Sequence, residues 1–309
     1  MQSRFLGLSL AAFSLLTVAA EISGSTGWSF PQAQSQTTTL SAMSLREVRS
    51  SPLDLEVAGE LAGLPAGTVR YLKREDLLAL PQVTFTVSDD GNFAGPTRVR
   101  GVLLEVLLRQ VSARPHSDMV VAICEDLYRA HYPRAYIAAH HPVLALLING
   151  KEPKDWPKDS EGSGLDIGPY LISHAAFTPG YKVLSHPEKP QIPWGVVRLE
   201  FRNEETVFGA IDPHGIHAKD PEVQHGYRIA QQNCFRCHNM GAEGGEKAEH
   251  PWLVLAAWAT ASPEYFTAYV RNPRSRNPHS QMPGNPDYED ATIHALISYF
   301  RTFGTREKP

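Results

Sequence analysis

The apolar positions follow two different periods, and this difference divides the sequence into two parts. Between residues 52 and 203 the apolar runs are short, rich in β-branched side chains and separated by turn residues, which predicts strands with shorter helices. After residue 221 apolar side chains recur every three or four positions, which predicts helices. We therefore expect a mixed α+β domain over residues 52–203, a polar linker over 204–220 and an all-α domain over 221–309.

Several strand signals in the first part are local. The apolar runs at 83–87, 119–124 and 143–148 predict strands, and Asn149-Gly150 after the third is a tight-turn pair. A further strand begins near residue 195. Its alternation predicts one shared face for Val197, Leu199 and Phe201.

The second part contains three helical patterns. The first runs into Cys234, the second begins at Pro263 after Ser262, and the third ends near Gly304. The apolar stripe of the third consists of Ile293, Leu296, Ile297, Phe300 and Phe303.

The first 20 residues resemble a secretory signal in composition. Arg4 is followed by an apolar run and then by small residues at 18–20, where cleavage is expected. The run is shorter than the roughly 20 residues of a membrane span, although an uncleaved anchor is the alternative. Residues 21–51 are rich in Ser, Thr, Gln and Gly, which predicts a flexible tether. We expect an exported, periplasmic bacterial protein with no membrane span after cleavage.

Composition narrows the class of protein further. The formal net charge is −4, and both signs are mixed along the chain. This distribution gives no reason to expect a nucleic-acid partner. Three cysteines do not make a disulfide framework even in an oxidising compartment. Cys124 stands apart from the other two, and we expect it to be a buried apolar residue.

Cys234-Phe235-Arg236-Cys237-His238 reads C-x-x-C-H, the attachment signature for a c-type haem. Two thiols at this spacing can bond to the two porphyrin vinyl groups, and His238 can then be the proximal iron ligand. The alternatives are a redox dithiol, half of a zinc site, or chance. A zinc site needs a second ligand pair, and Cys124 is far upstream. The spacing favours one covalent haem c.

Met282 lies in the Pro-rich segment Gln281-Met282-Pro283-Gly284-Asn285-Pro286. Rigid turns there favour a thioether ligand on the other side of the iron, and the alternative is a core filler. The competing ligands are His250, His279 and His294.

Residues 223–303 resemble a small class I cytochrome c: a helix, C-x-x-C-H, a loop with proline, a helix ending in Asn-Pro, a Met-Pro loop and a terminal helix. The resemblance implies that a loop proline carbonyl orients the haem histidine, and by position this is Pro251. It also implies that Trp252 and Trp258 pack near the haem, although both are equally compatible with plain core positions.

The first part resembles the molybdopterin-binding domain of the sulfite oxidase family. Three segments carry this resemblance: residues 100–108 (RGVLLEVLL), 122–128 (AICEDLY) and 144–150 (LALLING). The family's molybdenum-ligating cysteine lies upstream of the first segment, but residues 84–98 contain no cysteine. A thiolate cannot be exchanged for Ser88 or Asp89 without changing the metal chemistry, so we expect the fold without molybdopterin.

A polar cluster follows the second of these segments. It consists of Arg129, His131, Arg134, His140 and His141. An anion or metal site is one interpretation, and a polar loop on the domain surface is the favoured one.

If His238 and Met282 fill both axial positions of the iron, a substrate cannot easily bind there. This ligand pair therefore predicts one-electron transfer between redox protein partners. The first part is then a docking or scaffold domain. The alternative is a two-cofactor molybdenum and haem oxidoreductase acting on a small substrate such as an oxyanion. A weaker third interpretation is a haem-based sensor.

Overall fold

The computed structural model describes residues 43–158 and 164–304. The predicted signal segment and the tether as far as residue 42 lie outside these residues. Within them, strands dominate up to residue 202 and helices dominate after it, as the apolar periods predict. No described helix is long and apolar enough to cross a membrane.

The strand-rich part contains eleven strands among the described residues. They are β1 (Leu55–Gly59), β2 (Arg70–Leu72), β3 (Val83–Val87), β4 (Thr97–Leu103), β5 (Met119–Cys124), β6 (Arg129–Pro133), β7 (Val143–Ile148), β8 (Tyr170–Ser173), β9 (Lys182–Val183), β10 (His186–Pro187) and β11 (Trp194–Arg202). Four short helices accompany them: α1 (Arg74–Ala79), α2 (Leu104–Gln110), α3 (Arg134–His140) and α4 (Glu204–Gly209).

Nine of these strands form one mixed sheet. Its main path is β2-β1-β11-β8-β7-β4-β3, and β5 pairs with β11 and with β6. β1 and β11 run parallel, and the other pairs are antiparallel. Asn149 and Gly150 both have positive φ after β7, as the tight-turn prediction requires.

β5 is buried on both faces, which explains its continuous apolar run. Val120, Ala122 and Cys124 belong to the core of the sheet. Met119, Val121 and Ile123 belong to a second core that they share with the helices of the C-terminal part. β5 therefore lies between the two cores and packs against both parts of the chain.

β11 departs from simple alternation. A register shift between Val196 and Arg198 interrupts its pairing with β5. As a result Val196, together with Leu199 and Phe201, lies in the sheet core, whereas Val197 is only partly buried. The predicted face was therefore incorrect at Val197, because a bulge adds one residue and moves the alternation.

The described C-terminal part, up to residue 304, is built from four α-helices: α5 (Pro221–Asn233), α6 (Trp252–Ala261), α7 (Pro263–Arg271) and α8 (Asp290–Arg301). α5 and α8 cross closely at Gly226. A Cβ atom there would lie 2.0 Å from the carbonyl oxygen of Ala295 and 2.6 Å from Cβ of Tyr299. A glycine is thus required at this crossing for steric reasons.

Two segments expected to be loose are packed instead. At the end of the predicted tether, the Met43 amide donates to the carbonyl oxygen of Gln110 at 3.2 Å, and Arg46 pairs with Tyr71. In the predicted linker, Val207 and Phe208 of α4 are buried in the second core. Backbone hydrogen bonds thus attach the first segment to the fold, and buried apolar side chains attach the second.

Candidate functional site

The C-x-x-C-H segment continues the last turn of α5. The carbonyl oxygen of Cys234 accepts hydrogen bonds from the amides of Cys237 at 3.1 Å and His238 at 3.0 Å. This helical turn brings positions three apart to one side, which is the placement that two thioether bonds to one porphyrin edge require. Both thiols are free and half-buried.

The ring of His238 is held in one tautomer. Its Nδ1 lies 2.6 Å from the carbonyl oxygen of His250. A carbonyl only accepts, so Nδ1 carries the proton and Nε2 carries the lone pair. Burial lowers the pKa of His238 despite this hydrogen bond, so the imidazole is neutral at neutral pH. A neutral ring oriented through Nδ1 is the usual form of a metal-binding histidine.

The orienting carbonyl is that of His250 and not, as the resemblance implied, that of Pro251. Pro251 is the N-cap of α6, and its carbonyl oxygen accepts from the amide of Val254 at 2.9 Å. The start of the helix uses this acceptor, so the residue before it faces His238.

The two thiols are in an environment that keeps them protonated. Burial raises the pKa of Cys234 to about 12, and it also raises the pKa of Cys237. A nucleophilic redox dithiol usually lies at a helix N-terminus, where its pKa is lowered. Here the thiols follow the C-terminal end of α5, so the surroundings do not favour the redox-dithiol alternative.

Met282 lies in the loop between α7 and α8 and is half-buried. Its amide donates to Oγ of Ser280 at 3.3 Å. Asn285 further along the loop accepts a hydrogen bond at 3.2 Å from the side chain of Asn233, the residue directly before Cys234. The loop that carries Met282 is therefore hydrogen-bonded to the segment that carries the thiols. Sequence reasoning missed this contact, because neither asparagine belongs to a recognisable motif.

Aromatic rings lie between the two segments. The His250 ring packs on Trp258 at 4.8 Å between centroids, and Trp258 packs on Tyr269 at 5.4 Å. The Tyr269 hydroxyl lies 3.3 Å from Oγ of Ser280 in the Met282 loop. Trp258 and Tyr269 are only partly buried, so they offer an apolar surface that a flat porphyrin can cover. Together with the His238 donor atom and the free thiols, this surface fits a covalent haem.

The other candidates of the C-terminal part are placed differently. His279 and His294 are exposed, and His250 contributes its backbone carbonyl. Trp252 is fully buried, with its ring on Phe235 at 5.5 Å and on Phe300 at 5.0 Å. Trp252 therefore occupies a core position, the second of the two interpretations considered for it.

The haem motif is bound directly to the strand-rich part. The amide of Arg129 donates to the carbonyl oxygen of Arg236 at 2.9 Å, and the amide of Glu246 donates to that of Leu127 at 3.0 Å. Three side-chain pairs reinforce the contact: Arg129 with Glu246, Lys247 with Asp126, and Arg202 with Glu243.

The predicted polar cluster is divided among several environments. His131 is buried and packs against Phe235 of the motif. His140 is also buried, and its Nε2 lies 3.2 Å from Oε2 of Glu188. Both histidines line a cavity of about 270 Å³ between β6, α3 and α5. Arg134 and His141 are exposed. The cluster is thus not one surface loop, because β6 carries Arg129 and His131, α3 carries Arg134 and His140, and His141 ends α3.

Clusters of potential metal ligands are the next feature of the described residues. Among residues 43–158 and 164–304, no group of three or more His, Cys, Asp or Glu side chains is placed to hold a metal ion. Cys124 is 2% exposed in β5, and burial raises its pKa well above the ordinary value. It lies in the sheet core, as predicted.

Comparison with known proteins finds a similarity for the C-terminal part. Residues 221–300 match the family described as cytochrome C oxidase, cbb3-type, subunit III. No curated protein matches the chain. Among solved structures, the crystal structure of the sulfane dehydrogenase SoxCD from Paracoccus pantotrophus is similar with 18% identity and a TM-score of 0.33. The similarity covers 51% of this chain and 40% of that one.

The family match covers the helix before the motif, the motif itself, and the chain as far as Phe300 in α8. A cytochrome c domain implies haem c and electron transfer. The C-terminal part of this chain is therefore a helical region that bears a cytochrome domain, similar to this family over residues 221–300.

Proposed function

We propose that the chain is an exported cytochrome with one covalent haem c that transfers single electrons between redox proteins. Cys234 and Cys237 would hold the haem covalently, and His238 and Met282 would bind its iron. The strand-rich part is a docking scaffold of degenerate molybdopterin-binding type, without molybdopterin. Residues 1–20 direct export to the periplasm.

One observation carries this proposal. Nδ1 of His238 is committed to the carbonyl of His250 at 2.6 Å, directly after two thiols that burial keeps protonated. A lone-pair nitrogen next to two free thiols is the donor set of covalent haem c.

The residues of the chain position the iron ligands and leave no place at the iron for a substrate. A bound haem c supplies a one-electron change at iron. The hydrogen bond from His238 to His250 orients the proximal ring, and the contact between Asn233 and Asn285 holds the Met282 loop against the motif. Two protein ligands leave no open position for a substrate, which favours electron transfer over chemistry at iron.

The test is iron and molybdenum content per chain, measured on the exported protein from a host able to make both cofactors. We expect one iron, no molybdenum and a haem that stays with the chain after denaturation. Cys234→Ser with Cys237→Ser should abolish this covalent haem, whereas Cys124→Ala should retain it. One molybdenum per chain would establish the two-cofactor oxidoreductase instead. Absence of iron from correctly matured wild-type protein would overturn the haem assignment.

A further inference from the structure

Arg236 lies inside the haem motif, and its guanidinium is incompletely paired. Nη1 donates to the hydroxyl of Tyr128 at 3.3 Å. Nε and Nη2 are buried and have no hydrogen-bond partner within residues 43–158 and 164–304. A buried guanidinium usually has a carboxylate or several acceptors, because burying an unpaired charge is costly.

The other cations at the same junction do have carboxylate partners. Arg129 lies 3.0 Å from Glu246, and Lys247 lies 2.6 Å from Asp126. Arg202 contacts both Glu200 and Glu243. Arg236 therefore differs from its neighbours, since its one side-chain partner is a neutral hydroxyl.

The charge of Arg236 is permanent and belongs to the haem-attachment motif itself. A guanidinium keeps its proton at any ordinary pH. Arg236 lies between Cys234 and Cys237, within the turn in which the amides of Cys237 and His238 donate to the carbonyl oxygen of Cys234. Burial lowers the pKa of His131 to about 3, with Arg129 and Arg236 among the further causes.

We propose that Arg236 raises the reduction potential of the haem by placing an unpaired, buried positive charge beside it. Ferrous haem carries one positive charge less than ferric haem, so a nearby cation favours the ferrous state. The effect is stronger in a buried setting than at the surface, where solvent and salt screen it. This inference rests on the proposed haem attachment at Cys234, Cys237 and His238.

The test is the midpoint potential of the matured protein by spectroelectrochemistry. Arg236→Gln should lower the ferrous-to-ferric ratio at a fixed potential roughly tenfold. For one electron this corresponds to a midpoint potential lower by about 59 mV. Arg236→Lys keeps the charge and should restore most of the wild-type potential. Arg301→Gln removes the same charge from the exposed end of α8 and should have little effect.

Two further variants separate charge from structure. Tyr128→Phe removes the hydrogen bond and keeps the charge, so the potential should stay near that of the wild type. Tyr128→Glu places a carboxylate at the position that Nη1 contacts and so neutralises the guanidinium charge, which should lower the potential even if Arg236→Gln does not mature. Equal potentials for wild type, Arg236→Gln and Tyr128→Glu would overturn the inference while leaving the haem assignment intact. Haem content of each variant reports on that assignment separately.

Discussion

The imidazole of His131 stacks on the ring of Phe235, with centroids 5.1 Å apart and the ring planes 18° from parallel. His131 belongs to β6 of the strand-rich part, and Phe235 lies between the two cysteines of the haem motif. Both side chains are buried, at 2% and 0% exposure. The haem motif therefore packs on the strand-rich part through its own side chains, and each part contributes to the stability of the other.

Truncation of Phe235 should destabilise the protein strongly. Phe235→Ala removes a fully buried ring that contacts His131, Phe208 and Trp252. We expect a loss of about 3–5 kcal/mol in the free energy of unfolding, measured by urea denaturation. The control Leu253→Ala, at a position 54% exposed, should change stability by about 0.5 kcal/mol or less. A similar small change for Phe235→Ala would contradict the packing described here.

Replacement of His131 by phenylalanine should stabilise the protein at neutral pH. Both ring nitrogens of His131 are buried without a hydrogen-bond partner among the described residues, and such atoms cost free energy. His131→Phe keeps the stack and removes these atoms, so we expect a gain of about 1 kcal/mol at pH 7. A loss of stability at pH 7 would contradict this account of His131.

The same variant should also weaken the dependence of stability on pH. Burial, followed by Arg129 and other arginines, lowers the pKa of folded His131 to about 3, while an unfolded histidine has a pKa of about 6.5. Between these values the unfolded chain binds more protons, so stability falls as the pH drops from about 6.5 toward 3. His131→Phe should lose less stability over this range than wild type, and the exposed control His294→Phe should match wild type.

A methyl group at Gly226 should prevent the crossing of α5 and α8. The added Cβ would meet the carbonyl oxygen of Ala295 at 2.0 Å, and this backbone atom cannot move aside. We expect Gly226→Ala to lower the free energy of unfolding by about 3 kcal/mol or more, the upper end of overpacking penalties. Thermal or urea unfolding measures this change. Gly209→Ala is the matched control, because a Cβ there meets nothing within 4 Å. Equal stability of the two variants would exclude a close crossing at Gly226.

Replacement of Met282 should open one axial position of the haem. Met282→Ala should lower the reduction potential, since the thioether favours ferrous iron, and should let the reduced protein bind carbon monoxide. His279→Ala, in the same loop at an exposed position, should leave both properties unchanged. The reverse pattern, measured by absorption spectroscopy with and without carbon monoxide, would identify His279 as the distal ligand. Binding of carbon monoxide to the wild type would favour the sensor interpretation.

Much of the architecture follows from local patterns. Short β-branched runs predicted β3, β5 and β7, and apolar spacing predicted α5, α7 and α8. The predictions failed where one extra residue or a few apolar side chains decided the outcome. Val197 was assigned to the wrong face because a bulge has no sequence signal of its own, and Phe208 is buried within a segment that is polar on average.

By itself the sequence predicted the chemistry of the site. The two cysteines and the following histidine lie within one helical turn of each other. Their motif can therefore be recognised from a short run of residues, without knowledge of any distant contact. Only the tertiary structure decided that His250 orients His238, that Asn285 joins the Met282 loop to Asn233, and that β6 lies against the motif. These relations depend on which distant segments pack together, and packing is selected by the total buried surface and hydrogen bonding of the fold rather than by any short run of residues.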